Sequence, residues 1–213
     1  MTQVKICGVT RLDDAEHAVG LGAWAVGLNH HRASPRFCEP DAAAEIAAAM
    51  KRRCEVVGVF VNPTLDELAD SAEGAELTML QLHGDEGPAF CAEAARRTGC
   101  RVIRAVRVRS SADVRAAEAF RTDFHLFDAH HEKARGGTGE SFDWELVAGA
   151  HSTIPFILAG GLTPDNVGEA IAVTQPYAVD VASGVESAPG VKDPELVAAF
   201  LATAHPAARS ATA

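Results

Sequence analysis

Short apolar runs alternate with longer Ala- and Glu-rich amphipathic stretches along the chain, and this serial alternation constrains the fold more than any other feature. The apolar runs are Val4 to Val9, Ala25 to His30, Val56 to Val61, Leu77 to Leu82, Val102 to Val108, Phe124 to Asp128, Phe156 to Ala159 and Ala178 to Ala182. Rich in Val, Ile, Leu and Phe, they read as strands. Helical stretches lie between and after them: Asp13 to Leu21, Ala42 to Lys51, Leu65 to Ala72, Pro88 to Arg97, Ala112 to Phe120, Trp144 to Ala148, Asp165 to Val173 and Pro194 to Ala202. Cap-like residues mark three starts, at Asn62-Pro63-Thr64, Ser110-Ser111 and Thr163-Pro164. Eight strand-helix units in series, with no leftover segment, predict one parallel (β/α)8 barrel rather than an open doubly wound sheet. The barrel is expected over residues 1–204, with 205–213 as a flexible, Ala-rich tail.

Charge and composition narrow the partners. A formal net charge of −10 argues against nucleic acid, whose phosphates need clustered Lys and Arg, so any phosphate bound should belong to a small molecule. The start of the chain shows no basic segment followed by a long apolar run, and no stretch reaches the length of a membrane helix, which points to a cytoplasmic protein. The five cysteines are odd in number and show no C-x-x-C spacing, as fits a reduced compartment and no structural zinc. Neither a monomer nor a homodimer is favoured.

In such a barrel the carboxyl ends of the strands gather on one face, so groups far apart in sequence converge there. Cys7 ends the first strand and Asp128 the sixth, a thiol and a carboxyl suited to acid-base work. An isolated strand cysteine is more often core filler, and a carboxylate after a strand more often caps a loop. Cys38, Cys54, Cys91 and Cys100 keep the packing interpretation. Gly160-Gly161 follows the seventh strand and Ser183-Gly184 the eighth, where barrels often hold phosphate on backbone N–H groups.

Lys5-Ile6-Cys7-Gly8-Val9-Thr10, Ser34-Pro35-Arg36, Val57 to Asn62, Gln81-Leu82-His83-Gly84-Asp85-Glu86, Gly136-Gly137-Thr138-Gly139, Leu158 to Leu162, Val179 to Glu186 and Pro189 to Asp193 stand in a distinctive order and spacing. From Lys5 to Phe200 the chain resembles the phosphoribosylanthranilate isomerase family. The resemblance implies a cofactor-independent, metal-independent Amadori rearrangement in tryptophan biosynthesis, with a small phosphosugar-anthranilate substrate. It assigns the base to Cys7, the acid to Asp128 and the anthranilate carboxylate to Arg36. His83, Asp180, Gly160, Gly161, Ser183 and Gly184 are the further substrate-binding positions. Lys5 lies two residues before Cys7, hence on the same face of its strand, and is the candidate to favour a thiolate; Asp180 on the eighth strand is expected to sit beside it.

The chain departs from the family pattern twice. Gly27-Leu28-Asn29-His30-His31-Arg32-Ala33 lacks the usual aromatic residues, so an aromatic wall for anthranilate is expected to be either missing or replaced by imidazole, and Ala182 replaces a serine before Ser183. Altered amine specificity is therefore an alternative reading. Histidines after several strands (His30-His31, His83, His130-His131) raise a metal-dependent hydrolase as another, and a non-catalytic sugar-phosphate binder is a third. Gly136 to Gly139 reads as part of a lid.

Overall fold

The computed structural model describes residues 1–128, 144–148 and 153–205. Eight parallel strands pair in chain order and close on themselves: β1 (Gln3–Cys7), β2 (Ala25–Asn29), β3 (Glu55–Phe60), β4 (Met79–Leu82), β5 (Arg101–Arg107), β6 (Phe124–Asp128), β7 (Phe156–Ala159) and β8 (Ala178–Val181). The intervening helices are α1 (Leu12–Gly20), α2 (Pro40–Met50), α3 (Leu65–Gly74), α4 (Pro88–Thr98), α5 (Ser111–Ala117), α6 (Glu145–Ala148), α7 (Val167–Thr174) and α8 (Pro194–Ala204). The expected barrel is the observed one.

Alternation along each strand builds two apolar layers. Side chains turned inward, among them Ala25, Val57, Met79, Ile103, Leu126 and Ile157, fill the barrel interior. Their outward neighbours, such as Ile6, Leu28, Leu80, Leu82 and Val179, pack with Ile46, Met50, Leu68 and Phe200 of the surrounding helices. Each fully buried Leu, Ile or Phe contributes about 1.5–3 kcal/mol by leaving water. Both layers are therefore needed: the inner one keeps the barrel a solid core, and the outer one fastens each helix to its strands.

Local chemistry sets the helix starts. Thr64 and Glu67 form a reciprocal capping box, the Glu67 N–H donating to Thr64 Oγ1 (3.2 Å) and the Thr64 N–H to Glu67 Oε2 (2.7 Å). Asp113 accepts from the Ser110 N–H at 2.9 Å, and Asp193 caps α8 by accepting from the N–H groups of Glu195 and Leu196. At α7 the structure corrects the sequence reading. The Thr163 N–H donates to Asn166 Oδ1 (2.8 Å), so Thr163-Pro164 forms a turn and Asn166 is the N-cap. Leu77 and Thr78 fall outside β4 because the chain passes Glu76 at φ 42° while the Leu77 N–H still bonds Ala72 O.

A short 3₁₀ turn (Ser183–Val185) and a small antiparallel hairpin, β9 (Glu186–Ala188) with β10 (Val191–Lys192), were not expected from sequence. They are too short for any periodicity to reveal. At the other end of the chain, His205 Nε2 lies 2.7 Å from Thr2 O. Gly136 to Gly139, His130-His131 and 206–213 lie outside the described residues.

Candidate active site

A cavity of about 310 Å³ opens at the carboxyl ends of the strands, and Cys7 from β1 and Asp128 from β6 both line it. So do Arg36, His83, Gly160, Gly161, Asp180, Ser183 and Gly184, which brings the acid-base pair and the substrate-binding candidates named from sequence into one site. Asn29 and Gln81 line it too and were missed. Their signal was available in the period of two. Gln81 shares the inward face of Met79, where an apolar strand offers no other reason for an amide.

Barrel closure sets the electrostatics around Cys7. Pairing of β8 with β1 puts Asp180 opposite Lys5, and their side chains form an ion pair of 2.9 Å with Lys5 fully buried. Burial alone would lower the Lys5 pKa, but Asp180 and then Cys7 more than offset it, and the ammonium is held above its ordinary value. The Cys7 thiol is pushed up, first by burial and then by Asp180, against the opposing pull of Lys5 and Lys192. Lys5 is thus the expected cationic neighbour, yet it is shared with Asp180 and does not outweigh burial. The resting group is a thiol.

A second cluster flanks the same cysteine. Glu186 at the start of β9 holds one edge of the Arg36 guanidinium, with Nε at 2.9 and 3.1 Å from its two oxygens and Nη2 at 2.7 Å. Lys192 Nζ donates to Glu186 Oε1 (2.8 Å), to Cys7 O (2.5 Å) and to Ala182 O (3.2 Å). Two cations share the Glu186 carboxylate at this corner, and Glu186 engages the Nε and Nη2 edge of Arg36. Ser34 Oγ accepts from the Arg36 N–H and from Asn29 Nδ2, both at 3.1 Å, which folds the loop after β2 back over the site. Gly8, at φ 71°, makes room for the arginine stem: a Cβ there would stand 2.6 Å from Arg36 Cδ.

On the β6 side of the cavity, His83 Nε2 stands 3.4 Å from Asp128 Oδ2. Gln81 Nε2 lies 3.2 Å from His83 Nδ1, an arrangement that pairs an amide nitrogen, which only donates, with the tautomer whose N–H is on Nε2. At the far end, Gly160 (φ 95°) and Gly161 (φ 64°) take left-handed conformations. Gly184 approaches so closely that an added Cβ would collide with Leu162 O, so the loops after β7 and β8 are packed into one wall.

His30 and His31 do not replace an aromatic wall in this cavity. They line a neighbouring one with Phe37, Phe60 and Glu67, where the His30 ring stacks on Phe60 at 4.8 Å. Among the described residues no three His, Cys, Asp or Glu side chains gather as metal ligands.

Residues 4–203 match the model of the N-(5'-phosphoribosyl)anthranilate isomerase family. The chain belongs to this family. An N-(5'-phosphoribosyl)anthranilate isomerase of Citrifermentans bemidjiense is 46% identical over 204 residues, covering 96% of this chain and 97% of the relative. The crystal structure of phosphoribosyl anthranilate isomerase from Thermotoga maritima superposes with a TM-score of 0.87 at 38% identity, covering 96% of this chain and 98% of that one. Another solved phosphoribosyl anthranilate isomerase, with a TM-score of 0.84 at 37% identity over 96% and 98% of the two chains, is in complex with reduced 1-(o-carboxyphenylamino)-1-deoxyribulose 5-phosphate.

Proposed function

We propose that the chain converts N-(5'-phosphoribosyl)anthranilate to 1-(2-carboxyphenylamino)-1-deoxyribulose 5-phosphate, a step of tryptophan biosynthesis, with Cys7 as general base and Asp128 as general acid. The observation that carries the reading is that these two groups, from β1 and β6, line one cavity with an arginine on one side and a paired glycine wall on another. Protonation of the ribose ring oxygen by Asp128 lets the C1–O bond break as the amine lone pair forms an imine. Cys7, once a thiolate, removes the proton from C2, and the C2–H electrons form an enolamine. Protonation at C1 with loss of the O2 proton then gives the ketone, so no electrons leave the substrate.

The surrounding residues suit that substrate. Gly160, Gly161, Ser183 and Gly184 offer backbone close enough for the phosphate. Arg36, oriented by Glu186, receives the anthranilate carboxylate, and Asp180 and His83 border the sugar. No helix among the described residues is long and apolar enough to cross a membrane.

The test is a steady-state assay on freshly made phosphoribosylanthranilate with a chelator present and no added cofactor. Cys7→Ala and Asp128→Asn should each lower kcat at least about 10²-fold with unchanged circular dichroism. Undiminished turnover in Cys7→Ala would make the thiol mere packing, and zinc-dependent activity would replace the acid-base mechanism.

A further inference from the structure

Among the polar groups lining the cavity to which these steps give no role, Gln81 is the one with a buried, unpaired side-chain atom among the described residues. Gln81 points into the barrel one inward position beyond Met79, is 1% exposed, and lines the same cavity as Cys7 and Asp128. Its Nε2 is taken by His83 Nδ1, but its Oε1 is buried with no hydrogen-bond partner among the described residues. Buried acceptors are rarely left unpaired, and at a binding site such an atom marks a donor that arrives with the ligand. Turning the amide over does not remove the vacancy, since Oε1 would then face His83 and Nε2 would be left alone.

The topology says which part of the ligand meets it. β4 stands four strands from β8 in either direction around the ring, so Gln81 lies across the cavity from the Lys5 and Asp180 pair. Gln81 lines the same cavity as the glycine wall and Arg36, where an opened pentose would lie between its two anionic ends, and the sugar hydroxyls are the donors it carries there. We propose that Gln81 is a substrate-binding residue: Oε1 accepts a hydrogen bond from a hydroxyl of the opened sugar, while Nε2 holds His83 in the tautomer that turns an N–H toward Asp128. The inference rests on the isomerase reading above. Its consequence is that a correctly seated sugar fixes the amide, the amide fixes the imidazole, and the imidazole orients the acid.

Two measurements test it. Nitrogen-15 NMR of the wild-type protein should show the His83 ring unprotonated at Nδ1; a ring protonated mainly at Nδ1 would overturn the proposal. Binding is then measured for reduced 1-(o-carboxyphenylamino)-1-deoxyribulose 5-phosphate and for analogues that each lack one sugar hydroxyl. One deoxy analogue should bind the wild type roughly tenfold more weakly than the parent, and Gln81→Met should bind the two alike. Equal wild-type affinity across the series, or an unchanged preference in Gln81→Met, would overturn it. Failure of the wild type to bind even the parent analogue would overturn the isomerase reading and this proposal with it, which separates the two failures.

Discussion

Gly27 on β2 leaves the space that Cys7 needs: a Cβ at residue 27 would stand 2.9 Å from Cys7 Sγ and 3.1 Å from Lys5 Nζ. The backbone at Gly27 is not in the left-handed region, so a methyl group there brings no intrinsic strain and restricts the unfolded chain. It would also meet the Cys7 Cα of the neighbouring strand at 3.2 Å, and Lys5 Nζ is buried in its pair with Asp180, so the methyl group is accommodated only by displacing both side chains. Gly27→Ala is therefore expected to cost about 1–3 kcal/mol of stability by overpacking while lowering kcat at least about tenfold, since the thiol and its cationic neighbour are displaced together. Thermal unfolding and steady-state kinetics on the same preparation check this. Wild-type kcat would show that Sγ tolerates displacement and is not positioned by Gly27.

The pair Lys5 and Asp180 predicts a non-additive stability effect. Removing one partner leaves the other buried without its counter-charge, so Lys5→Met and Asp180→Asn are each expected to cost about 3–5 kcal/mol. The double variant should recover a substantial part of the summed loss, and denaturant unfolding of all four proteins completes the cycle. Simple addition of the two single costs would mean the charges are solvated independently.

The pH dependence follows from the thiol. With burial holding Cys7 above its ordinary value in the free protein, kcat/KM should still be rising with pH beyond neutrality, as the thiolate fraction grows. Lys192 opposes that elevation, so Lys192→Met should move the rising limb to higher pH and Lys192→Arg should restore much of it. A limb that stays in place in Lys192→Met would remove this lysine from the electrostatics of the base.

The barrel was legible because eight units repeat one pattern, and the cysteine and aspartate because strand ends are where such a fold collects its chemistry. Lys5 and Asp180 were also readable, since closure makes the eighth strand the neighbour of the first. The Glu186 and Lys192 corner was not. Both residues belong to motifs seen in the sequence, but the hairpin that folds them onto Arg36 and Cys7 is made of strands too short to leave a periodic trace. His30 and His31 were misplaced for a related reason: the loop from Asn29 back to Phe37 sends them into a neighbouring cavity, a path set by the side chains of Asn29 and Ser34.

That corner carries its own expectation. Glu186→Gln weakens the grip on Arg36 and leaves Lys192 without a carboxylate, so Arg36 should lose its fixed orientation rather than its charge. Affinity for the carboxylate-bearing product analogue should fall roughly tenfold, and Arg36→Ala should fall roughly ten- to hundredfold for the same ligand. Both variants should matter far less for an analogue lacking the carboxylate. Equal losses for the two ligands would mean that Arg36 serves loop structure or general electrostatics.

His30 predicts an acid sensitivity outside the chemistry. Its ring stacks on Phe60, its Nε2 is buried with no partner among the described residues, and burial lowers its pKa from the ordinary 6.5 to about 4. The folded chain therefore binds this proton less readily than the unfolded chain between those two values. The contribution to stability is fully present above about pH 6.5 and is lost as the pH falls toward about 4, with an upper bound on the order of 3 kcal/mol. His30→Phe keeps a ring against Phe60 and removes the titration. Denaturant unfolding at pH 7 and pH 4.5 should show a smaller acid loss in the variant than in the wild type; identical losses would mean that the imidazole is as easily protonated folded as unfolded, and that its burial does not set the acid limit of the barrel.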